Sequence, residues 1–257
     1  MTRVLTERTG RVLHIINNAP EQRNAFGMDF YDGMIPAIDG AGTDPDVGAV
    51  VISGAGGFFC AGGDVKRLAV AHQLDFATRR EGVDRLHVMI RAIRNCPKPI
   101  IAAVEGGAAG AGASLAAACD LIIAAKDAYF MLAYVKIGIT PDGGATWSFA
   151  RALPRQFAAE MALTGGRVPA ERLHQLGMVN RLSDAAVADG LSWAAELADG
   201  PAASMATIKA QIVAAEEAGF EAQLEAEAIG IATALGSPNG IEGATAFLEK
   251  RKAQFHG

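Results

Sequence analysis

Apolar residues in the first half of the chain gather into short unbroken runs separated by helically spaced stretches. Residues 12–16 alternate weakly and are rich in branched side chains, which predicts a strand. Residues 47–53 form a continuous apolar run that ends at glycines, the pattern of a strand buried on both faces. Residues 99–104 and 121–124 repeat that pattern. Between the runs, the spacing predicts helices over 28–38, 82–94 and 111–118. Leu86, Met89, Ile90 and Ile93 mark one apolar face of the second helix. Strands alternating with helices predict an α/β domain with right-handed crossovers.

After about Pro141 the strand pattern nearly vanishes, and only 178–182 resembles one. Helices are expected over 184–199, 201–217, 220–235 and 239–255. Asp184 and Asn239 sit where N-caps belong, and Pro201 suits a first helical position. The expected organisation is therefore a core over 1–198 and a helical region over 199–257.

Composition narrows the class. Hydrophobic residues make up 51% and charged residues 20%, which suits a folded globular domain and excludes a disordered chain. Glycine is abundant, 30 of 257, without the three-residue period of collagen. A net charge of −5 argues against a nucleic-acid partner. The first ten residues hold no long apolar run, so no signal peptide is expected. The most apolar stretch, 100–125, is broken by Glu105, Asp120 and glycines, so no membrane span is expected either. Cys60, Cys96 and Cys119 are odd in number and far apart, which predicts free buried thiols in a reducing, cytoplasmic compartment. No metal-ligand spacing occurs, and neither does a Walker A loop, a HExxH helix or a nucleophile elbow.

Three glycine-rich segments carry the candidate chemistry. The first runs from Ser53-Gly54 to Cys60-Ala61-Gly62-Gly63-Asp64, and the second from Gly106-Gly107 to Gly110-Ala111-Gly112-Ala113-Ser114. Each follows a buried strand and precedes a helix, where backbone N–H groups lack intrahelical acceptors. Either these are simple tight turns, or their N–H groups converge as an oxyanion hole that small side chains leave open to a carbonyl. The third segment, Gly138-Ile139-Thr140-Pro141-Asp142-Gly143-Gly144, presents Asp142 either as an N-cap or as an active-site carboxylate.

Phe59-Cys60-Ala61-Gly62-Gly63-Asp64, the 107–120 segment, the 138–146 loop, Leu163-Thr164-Gly165-Gly166 and the terminal Phe247-Leu248-Glu249-Lys250 together resemble the crotonase (enoyl-CoA hydratase/isomerase) superfamily. The resemblance spans nearly the whole chain. It implies an α/β fold with a spiral core of ββα repeats and a helical C-terminal trimerisation region, assembled as a homotrimer or a dimer of trimers. It implies an acyl-CoA thioester substrate and no separate cofactor, since coenzyme A belongs to the substrate. The positions matching the family's oxyanion donors are the N–H groups of Gly63 and Ala111. Ala61, Asp64, Val65 and Lys66 match the segment lining the CoA site, and Gln22 and Arg23 match the loop that touches its nucleotide end. Phe247 and Lys250 match residues that reach the nucleotide, often from a neighbouring subunit. On its own, Lys250 reads as part of a solvated helix face.

The match departs from the family's hydratases at one point. Those enzymes add water with two glutamates, and this chain has Ser114 and Tyr134 at the matching positions. Asp142 instead matches the loop aspartate of ring 1,2-epoxyphenylacetyl-CoA isomerases, whose motifs this chain resembles most. Dienoyl-CoA isomerases place an aspartate there too, with further carboxylates that this chain lacks. In 4-chlorobenzoyl-CoA dehalogenase the aspartate is a nucleophile, with a histidine matching His87. By itself His87 reads either as a packed or surface histidine or as polarity at the acyl pocket, and Tyr134 either as a core aromatic or as a pocket wall. The expected activity is an acyl-CoA isomerase in which Asp142 shuttles a proton. The alternatives are an enoyl-CoA hydratase and a non-catalytic acyl-CoA-binding protein.

Overall fold

A computed structural model describes residues 2–255. The chain opens with an antiparallel hairpin, β1 (Val4–Thr9) against β2 (Val12–Asn17). There follow α1 (Met28–Thr43), β3 (Ala49–Gly54), α2 (Val65–Val70), α3 (Phe76–Asn95), β4 (Ile100–Val104), β5 (Gly107–Ala109), α4 (Ala111–Ala118), β6 (Leu121–Ala125) and β7 (Tyr129–Met131). The rest is α5 (Ala145–Ala152), α6 (Arg155–Thr164), β8 (Arg167–Pro169), α7 (Ala170–Gln175), β9 (Arg181–Ser183), α8 (Ala186–Ala198), α9 (Ala202–Ala215), α10 (Phe220–Leu235) and α11 (Pro238–Leu248).

Two sheets form a spiral. The larger has the order β1-β2-β3-β4-β6-β9, and every pair after the hairpin is parallel. The smaller has the order β5-β7-β8, and Cys60 joins it through a parallel bridge to Ala108. Each turn of the chain thus lays one strand in each sheet: β3 with Cys60, β4 with β5, and β6 with β7. These are the ββα repeats implied by the resemblance. β3 and β4 are apolar throughout because both their faces are covered. On one face α8 comes so close that a Cβ on Gly190 would lie 3.2 Å from Ile123 Cγ2 and 3.3 Å from Ala103 Cβ.

The hydrophobic pattern located the buried elements and missed the exposed and the short ones. β1 is largely solvent-facing and carries no apolar alternation. β5, β7 and β8 are three residues each, too short for a period. Helices α6 and α7 also lie outside the expected set, while α2 and α5 follow the first and third glycine-rich segments as expected. α3 begins at Phe76, not at 82, because Asp75 caps it by accepting from Thr78 N at 2.7 Å while its first turns stay exposed. The strand expected at 178–182 is β9, three residues long and shifted toward the C-terminus. The last helix stops at Leu248, well before 255.

Three cap assignments are corrected as well. Ala185 precedes α8, and Asp184 instead pairs with Lys126 at 2.6 Å. Ser237 caps α11, accepting from Gly240 N at 3.0 Å, with Pro238 and not Asn239 as the next residue. Pro201 is the residue before α9, not its first.

Two charged contacts tie the C-terminal helices to the core: Arg94 of α3 pairs with Glu216 at the end of α9, and Lys209 makes the second. Lys209 of α9 donates to Asp120 Oδ2 at 2.7 Å, Ile93 O at 3.0 Å and Lys98 O at 3.2 Å. Beyond it, α10 has no buried residue, and Phe220, Ile229, Ile231 and Leu235 lie exposed along it. The three cysteines are free and buried. Among the described residues, no helix is long and apolar enough to cross a membrane.

Candidate active site

The first two glycine-rich segments are stitched to one another. Cys60 N donates to Gly107 O at 3.1 Å and Ala109 N to Cys60 O at 2.9 Å. Two glycines make this approach possible. Gly62 has φ +91°, and a Cβ there would stand 2.6 Å from Ala109 O. A Cβ on Gly112 would stand 2.5 Å from Cys60 O. Burial pushes the Cys60 thiol up to about 12, partly offset by the Gly62 N–H that its sulfur accepts. It is a packed thiol, not a nucleophile.

Gly63 and Ala111 emerge side by side from this junction. Gly63 is held by a parallel bridge to Phe26, where Phe26 N donates to Gly62 O at 2.6 Å and Asp64 N donates to Phe26 O at 3.2 Å. Ala111 is the first residue of α4, following Gly110 at φ +52°. Among the described residues, neither the Gly63 nor the Ala111 N–H reaches an acceptor. Unpaired donors of this kind are what an oxyanion hole requires.

Asn24 holds the first loop in place, a role that the sequence pattern did not suggest. It is fully buried at φ +57°, with its Nδ2 donating to Ala55 O at 2.9 Å and Phe58 O at 2.5 Å. Its Oδ1 accepts from Ala19 N at 2.8 Å. The asparagine itself is the available signal, since Asn tolerates the left-handed region better than most residues.

Asp142 is not an N-cap. α5 starts at Ala145 after Gly144, whose φ is +78°. The Asp142 carboxylate instead accepts from Tyr134 Oη at 2.8 Å. Tyr134 Oη lies 3.0 Å from Ser114 Oγ, which in turn donates to Asp142 O at 3.0 Å. Ser114, Tyr134 and Asp142 thus form one hydrogen-bonded network. Gly143 lets the loop close over it, as a Cβ there would lie 3.0 Å from Ser114 Cβ and 3.1 Å from Leu86 Cδ2. Burial holds the Asp142 carboxyl above its ordinary range, with the Tyr134 bond and then His87 pulling it back down. Burial and the neighbouring Asp142 charge keep Tyr134 a neutral phenol. His87 is half-buried on α3, 3.9 Å from Asp84.

Of the residues matched to the CoA site, Gln22 and Asp64 line one open cleft of about 980 Å³, together with Arg3, Met28 and Arg67. Asp64 also caps α2, accepting from Lys66 N at 2.9 Å. Ala61 N donates to Arg23 O at 2.9 Å, and the Arg23 guanidinium lies over the Phe58 ring at 5.6 Å. Val65 and Lys66 are exposed at the rim. Phe247 and Lys250 are exposed at the end of α11 and do not line this cleft. Among the described residues, no group of three or more His, Cys, Asp or Glu is placed to hold a metal ion.

Comparison with known proteins finds relatives along nearly the whole chain. The enoyl-CoA hydratase/isomerase family matches residues 7–257. The 1,2-epoxyphenylacetyl-CoA isomerase of Escherichia coli K12 is 34% identical over 96% of this chain and 95% of its own. The 2,3-dehydroadipyl-CoA hydratase of the same organism is 30% identical over the full length of both chains. The crystal structure of an enoyl-CoA hydratase from Polaromonas sp. JS666 superposes with a TM-score of 0.96 at 40% identity, covering 98% of this chain and 99% of the other.

Proposed function

The chain belongs to the enoyl-CoA hydratase/isomerase family, and from that premise we propose that it isomerises an acyl-CoA thioester with one shuttling carboxylate and adds no water. The thioester oxygen accepts from Gly63 N–H and Ala111 N–H. Asp142 takes a proton from the acyl group, and the electrons flow to that oxygen as an enolate, which the two N–H groups stabilise. The same carboxyl then returns the proton at another carbon, shifting a double bond or completing the opening of a strained ring. No water is consumed, so the second carboxylate of a hydratase is not needed.

One observation carries this reading. At the two positions where a hydratase has glutamates, Tyr134 and Ser114 supply hydroxyls that are spent on orienting Asp142. A carboxylate whose pKa is raised by burial suits a group that must both accept and return a proton near neutral pH. The likeness to an epoxyphenylacetyl-CoA isomerase supports the ring-epoxide variant of the reaction. Asp64, Lys66, Gln22 and Arg23 serve the CoA end. The apolar surface exposed on α10 and α11 serves as the trimer contact that brings Phe247 and Lys250 of one subunit to the nucleotide of the next. A cytoplasmic enzyme fits the three free thiols.

Asp142→Asn tests the assignment. On 1,2-epoxyphenylacetyl-CoA or a 3-enoyl-CoA, kcat/KM should fall on the order of 10³-fold, as for loss of a general base. Acyl-CoA binding by calorimetry should stay within about twofold of the parent. An active Asn variant rejects Asp142 as the acid/base. Hydration is the second reading, supported by the relatives named as hydratases. Fast hydration of crotonyl-CoA would establish it in place of isomerisation.

A further inference from the structure

Tyr31 lies on α1 and is only 7% exposed. Its ring stands edge-on to Phe26 and Phe30, with both centroid distances 5.9 Å and interplanar angles of 63° and 62°. Phe26 is the residue whose backbone pairs with Gly63. The Tyr31 ring is therefore fixed directly behind the proposed oxyanion loop. Its hydroxyl makes no hydrogen bond with any described residue. Buried tyrosines normally find a partner, and a lone one calls for an explanation.

Charge places that hydroxyl more closely. Burial raises the phenol pKa most, the Asp142 carboxylate and then Cys60 raise it further, and the Arg67 guanidinium lowers it. Arg67 and Met28 line the open cleft, and Met28 precedes Tyr31 by one helical turn on the same face. The hydroxyl is not sealed in the core, since the sealed unpaired side-chain atoms of the described residues are Arg3 Nη1, Asn17 Oδ1 and Gln223 Oε1. It thus keeps access to open space while lying within electrostatic reach of both Arg67 and Asp142.

We propose that Tyr31 determines specificity: its O–H donates to an oxygen carried by the acyl group beyond the thioester, so that the pocket selects an oxygen-bearing acyl-CoA over a hydrocarbon one. This rests on the acyl group lying between the Gly63 and Ala111 N–H groups and Asp142. The phenol stays protonated at neutral pH and is therefore a donor there, while Asp142 is the acceptor. A hydrocarbon acyl group would leave the buried hydroxyl without a partner, which is the usual basis of such discrimination.

The test uses two esters without a reactive ring, phenylacetyl-CoA and 2-hydroxyphenylacetyl-CoA, and compares Kd values by calorimetry for the parent and Tyr31→Phe. Phe keeps the ring contacts and removes only the hydroxyl. The parent should bind the hydroxylated ester about five- to tenfold more tightly, the range of one hydrogen bond, and Tyr31→Phe should bind the two alike. A parent without the preference overturns the proposal. So does a Tyr31→Phe variant that keeps the preference, or one that weakens both esters equally, as a packing role would. No turnover is measured, so an active Asp142→Asn enzyme would sink the acid/base reading without touching this result.

Discussion

Replacing Tyr134 by Phe removes one oxygen and leaves the buried ring in place. That oxygen is the donor at 2.8 Å to Asp142 Oδ1 and the partner at 3.0 Å of Ser114 Oγ. Ser114 keeps its own bond to Asp142 O, so the loop backbone should hold. The cost therefore falls on the carboxylate. A hydrogen bond to a charged group contributes about 1.5–3 kcal/mol, and the Tyr134 bond favours the ionised form. Without it, the carboxyl that burial already holds high shifts higher still. The sign follows from the role of Asp142 as base: activity appears as pH rises through its pKa, so the acidic limb of kcat/KM must move to higher pH. At a pH below the new limb, kcat/KM should drop roughly 10- to 100-fold, the equivalent of that interaction energy, and raising the pH should recover much of it. The assay is kcat/KM against pH for the parent and the variant, with circular dichroism to check the fold. A limb that does not move, or a loss constant at all pH values, refutes the idea that Tyr134 acts by tuning Asp142.

Two further outcomes probe the frame around the site. Gly112→Ala places a Cβ 2.5 Å from Cys60 O and should force the two loops apart; kcat should fall roughly 10²-fold, as on loss of one oxyanion donor, with an unchanged value rejecting the two-donor arrangement. Lys209→Ala strips the Asp120 carboxylate and two backbone carbonyls of their shared donor. It should destabilise the protein by about 2–3 kcal/mol in urea denaturation, below the range for a fully buried pair because the Asp120 side chain is 25% exposed and still accepts from Ile100 N. A loss under 1 kcal/mol would show that α9 does not depend on this anchor.

Much of the core was legible because burial writes a pattern. β3 and β4 read as unbroken apolar runs since helices cover both faces, and α3 showed Leu86, Met89, Ile90 and Ile93 at helical spacing since only that face is buried. β1 and the first turns of α3 face solvent and leave no such trace. The site divides the same way. Gly62 and Gly112 were legible because close backbone contact excludes side chains there, and Gly110 because its φ of +52° favours glycine. Asn24 and Tyr31 were not, because a clamp and a lone hydroxyl depend on partners distant in sequence.

The sequence alone determined the α/β class, the helical C-terminal region and the glycine loops. All of these are properties of local composition and order. Whether Asp142 capped a helix, and whether it met Ser114 and Tyr134 at all, only the tertiary structure decided. It brings together residues 114, 134 and 142 from α4, a 3-10 turn and a loop, and a 2.8 Å bond between Tyr134 and Asp142 exists only once the chain has folded around both.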